Sequence, residues 1–218
     1  PSDYPTKSSD WELSRTDKSS FDPNVRKNLG DYPIDDTNSP ISIANFNGYG
    51  GSTILYSAHF PRFHPSDFRV KTLDNVSDDW PLSYSDLNPY FDENEKIMGI
   101  AGLVGDTAYP EYKALLPPVP LGEMGLKMAN AFNKMNWHWW PSYAAINTDK
   151  RKNRANCINL GPCNTGCSQG AKGSVDVTYW PLARLNGVEI YTESRVFEIT
   201  LNSKGLADGV LYFDKDGN

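Results

Sequence analysis

Apolar residues recur at helical spacing in three stretches of the chain. Leu87, Tyr90, Phe91 and Asn94, then Ile97 or Met98, follow a Ser85-Asp86-Leu87 opening. They predict a helix with Ser85 as its N-cap and Gly99 and Gly102 at its end. Met124, Leu126, Met128, Ala129, Phe132 and Met135 predict a second helix from Leu121 to Met135, its Met and Phe stripe turned to the core. Val175 to Asn186 reads as a third. Beyond it the pattern changes to strands, Val188–Tyr191, Arg195–Leu201 and Gly209–Phe213, with the last two forming a hairpin. Residues 1–48 are rich in Asp, Ser, Pro and Asn and read as extended loop with short strands. Ser66–Phe68 and Asp78–Leu82 read as loop and turn, and the four prolines of 103–120 make that stretch a long loop. Asp214 to Asn218 is a turn signal that leads into a returning strand, so the chain reads as cut inside a hairpin. No internal repeat is visible. The expected class is α+β.

Composition narrows the function. At 39% hydrophobic and 12% aromatic, the 218 residues can bury a core and do not resemble a disordered chain. A net charge of −6 and a pI near 5.1 argue against a nucleic-acid surface, which needs clustered Lys and Arg. The one basic run, Lys150 to Arg154, is read as a solvated loop. No apolar stretch reaches the roughly 18 residues of a membrane span, and no signal peptide is visible.

Chemistry concentrates in two places. The first is Asn47-Gly48-Tyr49-Gly50-Gly51-Ser52-Thr53. Adjacent glycines admit positive φ and close approach of a ligand, and exposed N–H groups there can form an anion-binding nest. The plain alternative is a tight turn between strands. The second is the cysteine loop. Cys157, Cys163 and Cys167, all the cysteines of the chain, fall within eleven residues interleaved with Gly and Pro. Four readings stand open for them. Three thiolates suit a three-iron (3Fe-4S) cluster. Zinc would need a fourth ligand, with His138 the candidate, although a Trp-flanked His reads as core. A disulfide plus one free thiol, or three inert thiols, are the others. His59 reads as a packed or hydrogen-bonded residue.

Gly-Gly-Ser-Thr, eight residues, then Arg62 resembles the flavin-contacting signature of the glucose–methanol–choline (GMC) oxidoreductases. Pro65-Ser66-Asp67-Phe68, Asp78-Asp79-Trp80-Pro81-Leu82, Leu87-Asn88-Pro89-Tyr90-Phe91 and Gly99-Ile100-Ala101-Gly102 follow in the family's order. The similarity covers most of residues 40–213 and is strongest to the gluconate, fructose and glucose dehydrogenase branch. It implies FAD held at Gly50, Gly51, Ser52 and Thr53. Tyr56 and Ser57 stand where many members carry Asn-Gly, at a contact often made through the backbone. Val196 matches the Val that holds adenine through its backbone; read alone it is a strand residue. The three-cysteine spacing is similar to the cluster loop of the glucose dehydrogenase branch, which passes electrons to a cytochrome.

The resemblance divides the chain into five parts. An extended segment at 1–48 leads to an FAD-contacting segment at 49–105. Part of a substrate or cap domain follows at 106–150, then the Cys-rich loop at 151–174, and a return to the FAD domain at 175–218. The implied fold is a piece of an FAD-binding α/β domain plus part of a substrate domain. The implied activity is oxidation of a CH–OH group of a sugar, polyol or other alcohol. The family's Gly-rich dinucleotide fingerprint and its C-terminal catalytic His are not in this sequence, and none of His59, His64 and His138 is assigned as a base. A fragment so composed is expected to be inactive alone. Two alternatives are a cluster-free oxidase of the same family and a non-catalytic zinc-stapled binding module. The compartment, periplasm or cytoplasm, is left open.

Overall fold

The computed structural model describes residues 37–41, 48–113, 115–149, 154–161, 163–164 and 166–218. Most of the 1–48 segment, Asn47 of the glycine stretch, Lys150–Asn153 of the basic run, and Pro162 and Thr165 of the cysteine loop lie outside these residues. The described residues are α+β, with four α-helices and one two-stranded sheet. They divide into two units, Pro1–Trp180 and Pro181–Asn218.

In the first unit, α1 spans Val70–Asp74, α2 Tyr84–Met98 and α3 Gly122–Lys134. Helix α2 starts two residues earlier than expected because Ser83, not Ser85, caps it. The Asp86 carboxylate accepts from the Ser83 N–H at 2.8 Å, completing a capping box. Gly99 closes α2 in the left-handed region, φ 73°, as expected. Gly102 does not close it: a Cβ there would lie 2.5 Å from the Tyr143 ring, so its smallness serves packing. Helix α3 matches the expected element within a residue at each end. Its stripe does not: only Ala129 is buried, while Met124, Leu126 and Met128 are exposed.

The core of this unit is built from extended segments and not from a regular sheet. Ala101 and Ala144 exchange both backbone hydrogen bonds, at 2.7 and 2.9 Å. Ala145 N–H donates to Ala58 O at 2.8 Å and Gly173 N–H to Ala145 O at 2.6 Å. Alanine and glycine at these positions let the strands approach closely. Ala58, Met98, Ile100, Tyr112, Tyr143 and Ala145 pack together, with the Tyr112 and Tyr143 rings stacked 4.1 Å apart.

Arg62 joins this core to α2. Tyr84, Asn88, Asp92 and Glu95 recur at three- and four-residue steps, so one face of α2 presents four polar partners. The guanidinium takes all of them. Glu95 is held bidentately at 2.5 and 2.7 Å, Asp92 at 2.7 Å, Asn88 at 2.8 Å and Tyr84 at 2.9 Å. Lys113 also bonds Asp92. Lys113, and then Arg62, hold the Asp92 carboxyl below the usual carboxylate range. A depressed carboxyl pKa contributes stability that is present above the unfolded value and lost as pH falls through the folded one. Asp92→Asn should therefore lower the urea midpoint at neutral pH, and the gap to the parent should narrow below about pH 4. A gap constant from pH 7 to pH 3 would show that the carboxylate charge contributes nothing.

Helix α4, Tyr179–Leu185, crosses the boundary between the units. The expected helix from Val175 begins four residues late. Residues 175–178 form turns, with the Thr178 hydroxyl donating back to Ser174 O at 2.7 Å. In the second unit, β1 (Arg195–Leu201) and β2 (Ala207–Phe213) pair antiparallel, with register irregularities after Val196 and Thr200. The hairpin was legible. The expected strand at 188–191 is not formed among the described residues. It has no pairing partner there, and apolar content alone does not make a ladder.

Candidate functional site

Gly50 to Ile54 form one tight turn. Gly50 has φ 100° and ψ −11°, Gly51 has φ 58°, and Gly51–Ile54 make a single 3₁₀ turn. Both glycines therefore occupy backbone that L side chains disfavour. Their surroundings differ. A Cβ on Gly50 would lie 2.7 Å from Ile54 Cδ1 and 3.0 Å from Asp176 Cβ, whereas one on Gly51 would meet no heavy atom within 4 Å. The turn thus has a packed side at Gly50 and an open side at Gly51. The Gly51 N–H itself is committed to Gly48 O at 2.8 Å.

Three side chains fix this turn to residues 172–175. The Thr53 hydroxyl donates to Gly50 O at 2.6 Å and accepts from Val175 N–H at 3.0 Å. The Tyr56 hydroxyl donates to Gly173 O at 2.5 Å, and burial pushes its pKa well up, partly offset by Arg154. Lys172 is 1% exposed. Its ammonium donates to Ile54 O at 2.6 Å, Tyr56 O at 2.9 Å and Cys163 O at 2.6 Å. Burial draws its pKa down to about 8, opposed by Cys163, Cys167 and Asp176. Ser57 is exposed beside the turn. Val196 lies on β1 in the second unit, half exposed.

The cysteine loop is anchored by Asn147 and Arg154. Asn147 is fully buried; its Nδ2 donates to Arg154 O and Ala155 O at 3.1 and 2.9 Å, and its backbone carbonyl accepts from Cys157 N–H at 2.8 Å. Arg154 is not part of a solvated run. Its guanidinium donates to Met98 O and Ala171 O, both at 2.6 Å, capping the C-terminal carbonyl of α2. Cys157, Cys163 and Cys167 are half-buried free thiols, so the disulfide reading finds no bonded pair. Burial raises the Cys163 pKa; Cys167 and Cys157 add to the rise and Lys172 opposes it. Cys163 thus senses both of the other thiols. Even so, among the described residues no three His, Cys, Asp or Glu side chains gather as a metal-holding group. The described residues thus lend the cluster reading no support, and no electron-transfer step is drawn through one.

Sequence reasoning missed Lys172, Asn147 and Arg154. The signal for Lys172 was its setting. A lysine inside Gly170-Ala171-Lys172-Gly173-Ser174 has neighbours small enough for other backbones to close on its ammonium. His59 and His138 each have a local hydrogen-bond partner. His59 pairs with Ser142 Oγ at 2.7 Å, within its expected hydrogen-bonded role. His138 is not core: its side chain is half exposed and bonds Asp106 at 2.9 Å.

No protein-family model matches the chain. The chain is similar to 2-methyl-1,2-propanediol dehydrogenase of Mycolicibacterium austroafricanum, 38% identical over 98% of this chain and 39% of that protein. It is also similar to the fructose dehydrogenase large subunit of Gluconobacter japonicus, 25% identical over 78% of this chain and 32% of that protein. A third relative is paromamine 6'-oxidase of Streptomyces fradiae, 27% identical over 77% of this chain and 31% of that protein. The chain spans about two-fifths of the first of these and about a third of the others. These relatives are dehydrogenases and oxidases of the glucose–methanol–choline family, and the 38% identity to the first runs along nearly the whole chain. The family implies FAD. The residues of the turn fit that cofactor in one respect visible here: the open side of Gly51 is space that any side chain would fill. No helix among the described residues is long and apolar enough to cross a membrane.

Proposed function

We propose that the whole protein is an FAD-dependent oxidoreductase acting on a CH–OH group of an alcohol, polyol or sugar. Bound FAD supplies the redox chemistry, taking up the hydride released from the substrate carbon. The observation that carries this reading is the two-sided glycine turn, packed at Gly50 and open at Gly51, in a chain with relatives in this family. In it, Gly51, Ser52 and Thr53 line the cofactor side of the turn. Tyr56 and Thr53 hold it to residues 173–175, and Ser57 flanks it. Val196 supports the adenine end through its backbone. The printed names of the relatives include both dehydrogenases and oxidases, and we favour a dehydrogenase that delivers electrons to an acceptor such as a cytochrome.

The intact gene product should purify yellow. Under anaerobic conditions its flavin band should bleach on addition of 2-methyl-1,2-propanediol, fructose or another member of an alcohol and sugar panel. Absence of flavin, or a band that no alcohol bleaches, would overturn the proposal. Oxygen consumption during turnover would move it to the oxidase reading. Gly51→Val should reduce flavin content, because it combines backbone strain of about 1–2 kcal/mol with a side chain in the open space. Flavin stoichiometry equal to the parent's would remove Gly51 from the cofactor side.

A further inference from the structure

Lys172 holds a position that the proposed function does not use. A buried ammonium is costly unless its donors are satisfied. Here all three N–H donors have one backbone carbonyl each, from Ile54, Tyr56 and Cys163. The ammonium also sits 5.1 Å from the centre of the Tyr56 ring. Two of the carbonyls belong to the segment that leaves the glycine turn. The third belongs to the middle cysteine of the loop. The backbone of Lys172 is itself tied down: Asn147 and Gly173 bond to the residues on either side of the bridge between Ile146 and Lys172.

We propose that Lys172 is a positioning residue that makes the glycine turn and the cysteine loop one mechanical unit, so that neither segment can shift without the other. Calling the turn cofactor-facing rests on the reading above; the coupling itself does not. The alternative anchors are segregated. Thr53 and Tyr56 hold the turn to residues 173–175 through hydrogen bonds that do not reach the cysteines. The Asn147 side chain holds the start of the loop at Arg154 O and Ala155 O, and its hydrogen bonds do not reach the turn. Lys172 joins the two through a single donor group. Groups that share three charge-assisted hydrogen bonds at one nitrogen open together, because releasing one carbonyl leaves a buried donor unpaired.

The test is native-state hydrogen exchange on the intact protein. In the parent, the hydrogen-bonded amides of Gly51 and Leu55 on the turn, and of Cys157 and Gly170 on the loop, should exchange through one opening with the same denaturant dependence. Separate dependences for the two pairs would overturn the proposal. Lys172→Met keeps the length of the side chain and removes the donors. It should speed exchange at all four amides and accelerate thiol labelling at the cysteine loop together. Loosening of only one segment, or of neither, would overturn it. Asn147→Ala is the control: it should speed thiol labelling and leave Gly51 and Leu55 protected. If it frees them too, the loop and turn are coupled by general packing and the assignment to Lys172 fails. In the holoprotein, Lys172→Met should lower kcat by roughly tenfold or more with little change in KM, the signature of a misplaced reacting group. Should the Met variant not accumulate, the parent exchange experiment decides alone. An intact protein without flavin would end the proposed function and leave the exchange result standing; separate openings in a flavin-loaded protein would do the reverse.

Discussion

Arg62→Met should be among the most destabilising single changes in the first unit, costing about 3–5 kcal/mol. The loss of packing is small, because Met fills much of the same space. The penalty comes from what stays behind. Glu95 is 5% exposed and both its oxygens face Arg62, so the variant strands a buried carboxylate. Asp92 keeps Lys113, and Asn88 and Tyr84 lie toward the outer part of the network. The sharp form of the expectation is the double variant. Arg62→Met with Glu95→Gln should recover a substantial part of the loss, since the stranded charge goes with the second change. Urea unfolding of the single and double variants measures this directly. Equal instability of the two would show that the cost lies in packing around the Arg62 stem and not in the charge.

The second large effect is expected at Gly173. A Cβ there would lie 2.5 Å from Met98 O and 3.2 Å from Ala145 Cβ. Met98 O is backbone at the end of α2 and already accepts from Arg154. It cannot swing aside as a side-chain tip could. Gly173→Ala therefore forces the 171–174 segment away from α2, an overpacking cost of about 1–3 kcal/mol. The same shift carries Gly173 O away from the Tyr56 hydroxyl. Gly51→Ala is the matched comparison, because its cost is backbone conformation alone, with empty space around the new methyl. A Gly173→Ala protein as stable as the parent would mean that α2 and the 171–174 segment can separate without loss.

These two positions show which parts of the molecule the sequence carries openly. Helices α2 and α3 are long enough for their period to be read, and Gly99 marks the end of α2 because only a left-handed residue closes it there. Ser83 and Ser85 both precede the apolar positions; the carboxylate at Asp86, three residues after Ser83, is what selects Ser83 as the cap. Helix α1 has five residues, too few for any period. The paired glycines announced a turn, and a turn is what they form. Arg62 stood in the sequence as one element of a spacing. Its four partners on α2 emerge only when the helix is drawn out at its own period. Lys172, Asn147 and Arg154 were unreadable for a deeper reason. Each is buried by bonding to main-chain carbonyls, and carbonyls carry no residue signature. The exposed stripe of α3 is the converse case. Its pattern is that of a buried helix face, and the described residues cover only Ala129.

The bonds that shape the glycine turn also impose an order on its synthesis. Thr53 and Val175 are 122 residues apart in the chain, and Ile54 and Lys172 are 118 apart. A ribosome adding about 5–20 residues per second needs roughly 6 to 24 s to travel from one to the other. Throughout that interval the carbonyls of Ile54 and Tyr56 have water where the ammonium will be, and the Thr53–Val175 bond is unmade. The turn is thus encoded early and assembled late. A ribosome that pauses between residues 57 and 172 holds out a nascent chain whose glycine segment is still open to proteases and chaperones.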